Sequence, residues 1–301
     1  MGINDGRPFL IRDASAWGLT DNEVRRGLRT GTLYRPFRGV AVDGTAEDTR
    51  ELRLAALSLV IPDGAAASDH TAAWVHGADT RPPGQRHDLR PMCVVRHGFG
   101  RPTPDRALTR QTVLPDPDVV ELDGVAVTSP LRTASDLLRL SWRPYALAAA
   151  DTMARADVVD PAEVAEYVAR LRRFPGTKQA QELAPHVDGR RESPGESWMG
   201  CRMLDAGLPR PAIAYEVVHR GRSYWLDSAF VARRGAAEYD GREFHSDPGD
   251  VSHDGERRGT MSHDLGWAFV IGTRERIFGT DDAFEQELGA LMSVHVRPRS
   301  W

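Results

Sequence analysis

Lysine is almost missing from this sequence. Of its 39 basic residues only Lys178 is a lysine, and none follows it. Any site beyond that point must work without an ammonium group. Cysteine is scarce as well: Cys93 and Cys201 make no disulfide framework, which fits a reducing compartment. No run of eighteen apolar residues occurs, which argues against a membrane span. The start, MGINDGRPFLIRD, lacks the basic-then-apolar order of a signal peptide, so the expected location is the cytoplasm. Neither a P-loop nor a G-x-G-x-x-G fingerprint is present. Charge of one sign does not dominate either. Residues 191–301 hold 14 arginines against 18 acids, and residues 1–190 balance at 25 and 25. Nucleic-acid binding must therefore come from local patches rather than overall charge.

What is there suffices for two or three domains with proper cores: 301 residues, 41% of them hydrophobic and 27% charged. Residues 8–42 read as a small winged helix-turn-helix. Arg12–Trp17 forms a helical turn broken by Gly18, and Thr20-Asp21-Asn22-Glu23 is a capping box opening a second helix. Val24 and Leu28 sit four apart on its inner face, leaving Arg25, Arg26 and Arg29 to point outward. Gly31 is placed to end it. TLYRPFRGVAV then alternates and turns like a wing, with Arg35 and Arg38 near the tip. Between Val24 and Val42 stand five arginines and no acid. The planar fork of arginine suits phosphates and guanine edges, so this is the candidate DNA face; the bland reading is a solvated basic helix.

In the middle region, residues 48–60 suggest a helix with Leu52, Ala55 and Leu59 on one stripe. MCVVRH (92–97) and VVELDGVAVT (119–128) suggest strands, the second hinged at Asp123-Gly124. Ser129-Pro130 and Asp160-Pro161 each pair an N-cap with a first-turn proline, so helices should start at both. His70 and His76 lie six apart, a poor spacing for ligands on one helix face, and read as structural. PHVDGRRESPG, 185–195, reads as a linker.

The amino-terminal unit, the stretch Ser68-Asp69-His70-Thr71-Ala72-Ala73-Trp74-Val75-His76-Gly77, and Val127-Thr128-Ser129-Pro130-Leu131-Arg132-Thr133 with Asp136-Leu137-Leu138 together resemble the AbiEi-type antitoxins of abortive-infection systems. The resemblance covers about residues 8–155. A toxin protein joins DNA as a candidate partner, although nothing in these residues encodes it.

Four carboxylates punctuate the last third. Glu238 and Asp240 are two apart on one strand and so share a face, where their repulsion needs a cation, a proton or hydrogen bonds to offset it. Hard oxygen ligands suit magnesium, or manganese in its place. Asp227 interrupts the aromatic strand RSYWLDSAF, where aspartate is disfavoured; a metal would explain it, and so would a solvated strand edge. Ser193-Pro194-Gly195-Glu196 is itself a capping box, so Glu196 is a helix cap, a metal ligand, or both. Arg257 and Arg258, expected to begin the helix after Asp254, are spaced for a phosphate or for a salt bridge to Glu238.

Glu196, Asp227-Ser228-Ala229, Glu238-Tyr239-Asp240-Gly241 with His245, and Asp254-Gly255-Glu256-Arg257 with Leu265-Gly266-Trp267 resemble, in that order, the very-short-patch-repair-like branch of the PD-(D/E)XK nucleases. The resemblance implies magnesium held by Asp227, Glu238 and Glu196, with Asp240 assisting and His245 transferring the proton. The chain departs from the common pattern in carrying Asp240 where a lysine is usual.

The expected architecture is α/β in the multidomain, α+β sense. It comprises a winged helix-turn-helix at 1–45, a mixed α/β middle region at 46–185 and a restriction-endonuclease-like α/β core at 191–301. The expected function is metal-dependent DNA cleavage; the alternative is an antitoxin-like autorepressor whose nuclease fold is catalytically inactive.

Overall fold

The computed structural model describes residues 6–85, 89–98, 100, 107–241, 248–299 and 301. It is a mixed α/β protein with three sheets, divided into two compact units. The first unit comprises Met1–Leu137 and Val158–Leu171; the second comprises Leu138–Asp157 and Arg172–Trp301.

The first unit opens with β1 (Phe9–Leu10), a 3-10 turn at Ile11–Trp17 and α1 (Asp21–Thr30). Gly18 and Gly31 adopt left-handed φ values of 72° and 79°, and the Thr20–Glu23 capping box is made in both directions. β2 (Leu33–Tyr34) and β3 (Val40–Asp43) complete an antiparallel sheet in the order β1-β3-β2. Phe9, Ala14, Val24, Leu33 and Ala41 form its core.

Next come α2 (Arg50–Ser58), β4 (Ala66–Ala67), α3 (Asp69–His76), β5 (Met92–Arg96), β6 (Leu108–Thr112), β7 (Val119–Leu122) and β8 (Val125–Thr128). Their sheet runs β6-β5-β4-β8-β7. The β7–β8 hairpin turns on Asp123 and Gly124, both at positive φ (48° and 77°), which matches the twist of the strands it joins. In α2 the buried side chains are Leu54, Ala56 and Leu57, not the expected stripe. Leu59 lies past the end of the helix and is exposed, and the face that packs on α3 and β8 selects a different register. α4 (Pro130–Leu140) begins after Ser129, whose hydroxyl accepts from Arg132 N at 3.3 Å. After α5 (Arg143–Arg155), which belongs to the second unit, the chain returns with α6 (Pro161–Arg170), capped by Asp160.

The second unit contains α5, α7 (Thr177–Leu183), α8 (Pro194–Asp205), β9 (Ala212–His219), β10 (Arg222–Phe230), β11 (Gly235–Asp240), α9 (Pro248–Leu265), β12 (Ala268–Thr273), α10 (Arg274–Phe278) and α11 (Ala283–Met292). Strands β9, β10 and β11 form an antiparallel meander, and β12 joins β11 in parallel across the α9 connection. Met199 and Met203 of α8 pack with Phe284, Leu288 and Met292 of α11 against Phe230, Ala237 and Val270. On the other face, Met261 of α9 meets Leu226 and Ala236. The sheet is thus covered by helices on both sides.

Segment 185–195 is not a linker. Asp151 of α5 is fully buried, and it draws in this segment: Asp188 N donates to its Oδ1 and Arg191 Nη1 to its Oδ2, each at 2.8 Å. An interior carboxylate needs such partners. α9 begins at Pro248, ahead of the expected start, so Arg257 and Arg258 fall inside it.

Candidate functional site

Three groups of polar residues stand out. On the amino-terminal sheet and helix, burial of Val24 and Gly27 fixes the rotation of α1, and Arg25, Arg26 and Arg29 are exposed on its outer side. Arg35 and Arg38 are exposed in the loop between β2 and β3. Among the described residues no carboxylate forms a salt bridge with Arg25, Arg26, Arg29 or Arg35. Arg38 N donates to Leu89 O at 2.8 Å, tying that end of the loop to the chain leading into β5.

The second group is interior. Arg132 is 1% exposed, and its guanidinium donates to Asp136 Oδ1 (3.0 Å), Asp118 Oδ2 (2.7 Å), Thr112 Oγ1 (3.1 Å) and Val113 O (3.1 Å). Arg110 bridges Asp136 (2.5 Å) and Asp69 (3.1 Å), while Tyr167 of α6 donates its hydroxyl to Asp118 at 2.9 Å. Burial, and then that bond, push the Tyr167 hydroxyl well above its ordinary pKa. Asp69 takes a left-handed φ of 52° at the first position of α3, and it receives Ser68 Oγ at 2.8 Å. His76 Nε2 meets Thr128 O at 2.8 Å and His70 Nδ1 meets Thr80 Oγ1 at 2.9 Å. Burial holds both imidazoles below their ordinary pKa, so they serve as neutral hydrogen-bonding groups. The stretches 68–77 and 127–138 therefore hold each other. Composition gave no hint that an arginine would sit at their centre, because arginine is seldom fully buried.

The third group lies where β10 and β11 pair. Asp227 accepts from Tyr239 N at 2.8 Å. Its carboxyl is raised to about 7: burial is the largest cause, the Tyr239 N–H opposes it, and the charges of Glu196 and Glu238 add to it. Glu238 is 5% exposed and receives Arg257 Nη2 at 2.9 Å, with Arg258 Nε at 3.6 Å. Of the two roles weighed for these arginines, the salt bridge is the one present. Glu196 has both oxygens engaged locally, from Ser193 Oγ at 2.8 Å and Glu192 N at 2.9 Å, as a cap of α8. Asp240 is half-buried at the end of β11. His245 lies outside the described residues. Among the described residues no group of three or more His, Cys, Asp and Glu is disposed to hold a metal ion. As they stand, Glu238 faces Arg257 and Arg258, Asp227 accepts from a backbone N–H, and Glu196 is engaged in capping its helix.

Residues 65–186, which contain both mutually bonded stretches, match the AbiEi antitoxin C-terminal domain. Two curated relatives come from strains of Mycobacterium tuberculosis, the uncharacterized proteins MT2308 and Rv2248. Each is 32% identical over 254 residues, covering 84% of this chain and 89% of the relative. Among solved structures, the Rv2827c protein of the same species matches 72% of this chain and 85% of its own at 14% identity. Its TM-score of 0.31 is too low to carry an argument. No described helix is long and apolar enough to cross a membrane.

Proposed function

The chain belongs to the family of the mycobacterial protein Rv2248 and carries an AbiEi antitoxin C-terminal domain, and on that premise we propose that it is a DNA-binding antitoxin-type regulator. The winged helix grips duplex DNA through Arg25, Arg26, Arg29, Arg35 and Arg38 and represses its own operon in a type IV toxin–antitoxin or phage-defence system. A cognate toxin is the protein partner. The last unit acts as a scaffold derived from a nuclease fold; its order of helix, three antiparallel strands, helix and parallel strand supports that descent.

The observation that carries the reading is the exposure of all five arginines on one helix and its wing. Solvated guanidinium groups gain most from phosphates, whose condensed counterions they release. Fluorescence anisotropy with a duplex library across a salt series tests it. The Arg26→Ala/Arg29→Ala double variant should bind more weakly, and the slope of log K against log salt should flatten by about 0.9 for each phosphate no longer neutralised. Equal affinity and equal slope would refute the assignment.

A second reading keeps the magnesium-dependent nuclease, and what favours it is that the charges of Glu196 and Glu238 both act on the buried carboxyl of Asp227. It requires Arg257 to release Glu238. Under that reading magnesium raises the melting temperature of the wild type but not of Asp227→Asn; no magnesium effect on either leaves the regulator.

A further inference from the structure

Helix α1 turns a stripe of residues to the outside, and one member of that stripe has no task within the protein. The rotation of α1 is fixed by Val24, which is 2% exposed, and by Gly27, where a Cβ would come within 2.9 Å of the Leu33 side chain on β2. On the opposite side stand Asn22, Arg26 and Arg29, at i, i+4 and i+7, all exposed. The two arginines are among the proposed DNA contacts; Asn22 is not. Asparagine is a weak helix former, favoured at helix starts when its side chain caps the end. Here the cap is Thr20. Glu23 N donates to Thr20 Oγ1 at 3.3 Å, and Thr20 N donates to Glu23 Oε2 at 2.8 Å. The side chain of Asn22 forms no hydrogen bond with any described residue. Its amide is left with both donor and acceptor unused.

We propose that Asn22 reads an adenine in the major groove. This rests on the proposed DNA binding by α1 and specifies what that helix recognises. The amide presents an N–H donor and a carbonyl acceptor side by side, the complement of adenine N7 and its N6 amino group. Neither neighbour can take its place. Glu23 is engaged in the cap, and Asp21, as a carboxylate, has no donor for N7. Like charges repel, so these two acids disfavour a phosphate at that end and leave the amide a base edge. Arg26 lies about 6 Å and Arg29 about 10 Å farther along the helix axis, roughly two and three base-pair steps of about 3.4 Å. The adenine therefore stands at one end of the contacted stretch, beyond the pairs that the two arginines cover.

Selection of the full chain on a randomised duplex library, followed by fluorescence anisotropy on the selected duplex, tests this. Wild type should prefer adenine at one terminal position of the selected site by roughly five- to 150-fold over other bases. Asn22→Ala should lose that preference and keep those at the remaining positions. Its slope of log K against log salt should match wild type, because no charge is removed. Alanine is the better helix former, so the variant should fold. Asn22→Gln, which keeps the amide, should retain part of the preference. Replacing the adenine by 7-deazaadenine, which lacks N7, should weaken wild type and leave Asn22→Ala unaffected; the first half of that comparison needs only wild type. If wild type binds duplex with the expected salt slope but shows no terminal adenine preference, or if Asn22→Ala keeps that preference, this inference alone is overturned. Failure of wild type to bind any duplex overturns the DNA reading and this inference together.

Discussion

A carboxyl that titrates near 7 in the folded chain and near 3.8 when unfolded binds its proton more tightly in the native state between those limits. Stability therefore falls as pH rises through that window. Below it both states are protonated and the penalty is absent; above it the penalty is complete. For Asp227, the change to Asn keeps an oxygen for Tyr239 N and removes the charge. Asp227→Asn should accordingly melt at a higher temperature than wild type near about pH 8 and at the same temperature near about pH 4. A difference of equal size at both pH values would show that burial of the ionised form is not the cause. At this scale the sequence was a fair guide to short-range chemistry. The Ser193–Glu196 cap follows from neighbouring residues, and the six-residue spacing of His70 and His76 points away from ligands, although their partners Thr80 and Thr128 lie farther along the chain. Arg132 was not legible, because its partners Asp118 and Thr112 come from other elements, and no local pattern marks an arginine for the interior.

Helix ends and turns were the most legible elements, since Thr20, Gly31, Asp160 and Asp123-Gly124 act on their own neighbours. Close approach between elements was not. Gly195 lies in the first turn of α8, and a Cβ there would come within 2.2 Å of Tyr239 Cε1 on β11. The glycine is what lets that helix sit against the strand carrying Glu238. Gly195→Ala should destabilise the chain by about 1–3 kcal/mol, the usual cost of overpacking. Pairing it with Tyr239→Leu, which shortens the obstructing side chain, should recover part of the loss in urea denaturation. If the alanine variant unfolds at the wild-type midpoint, the two elements are not held at the separation described. The misplaced face of α2 has the same origin: more than one apolar stripe is available on so short a helix, and only α3 and β8 choose among them.

Taken as a whole, the molecule follows the mixed α/β class that the alternation of patterns suggests, with three sheets among the described residues. Which segments belong together was harder to read. Residues 138–157 and 172–190 cluster with the last sheet, through contacts such as Asp151 with Arg191 and Arg143 with Asp205 (2.6 Å). Such pairings carry no signal in composition, because each partner looks like an ordinary surface charge until the other is known. The chain leaves its first unit at Leu137 and comes back to it only for Val158–Leu171. On the ribosome, synthesis runs in one direction, so that unit cannot be finished when its own sheets have emerged. It must wait while α5, a helix belonging to the other unit, is made and passed over. Only when α6 appears can the Tyr167 hydroxyl reach Asp118. Until that moment the nascent chain holds an unfinished interior, and its birth order sets a window in which a chaperone has something to grasp.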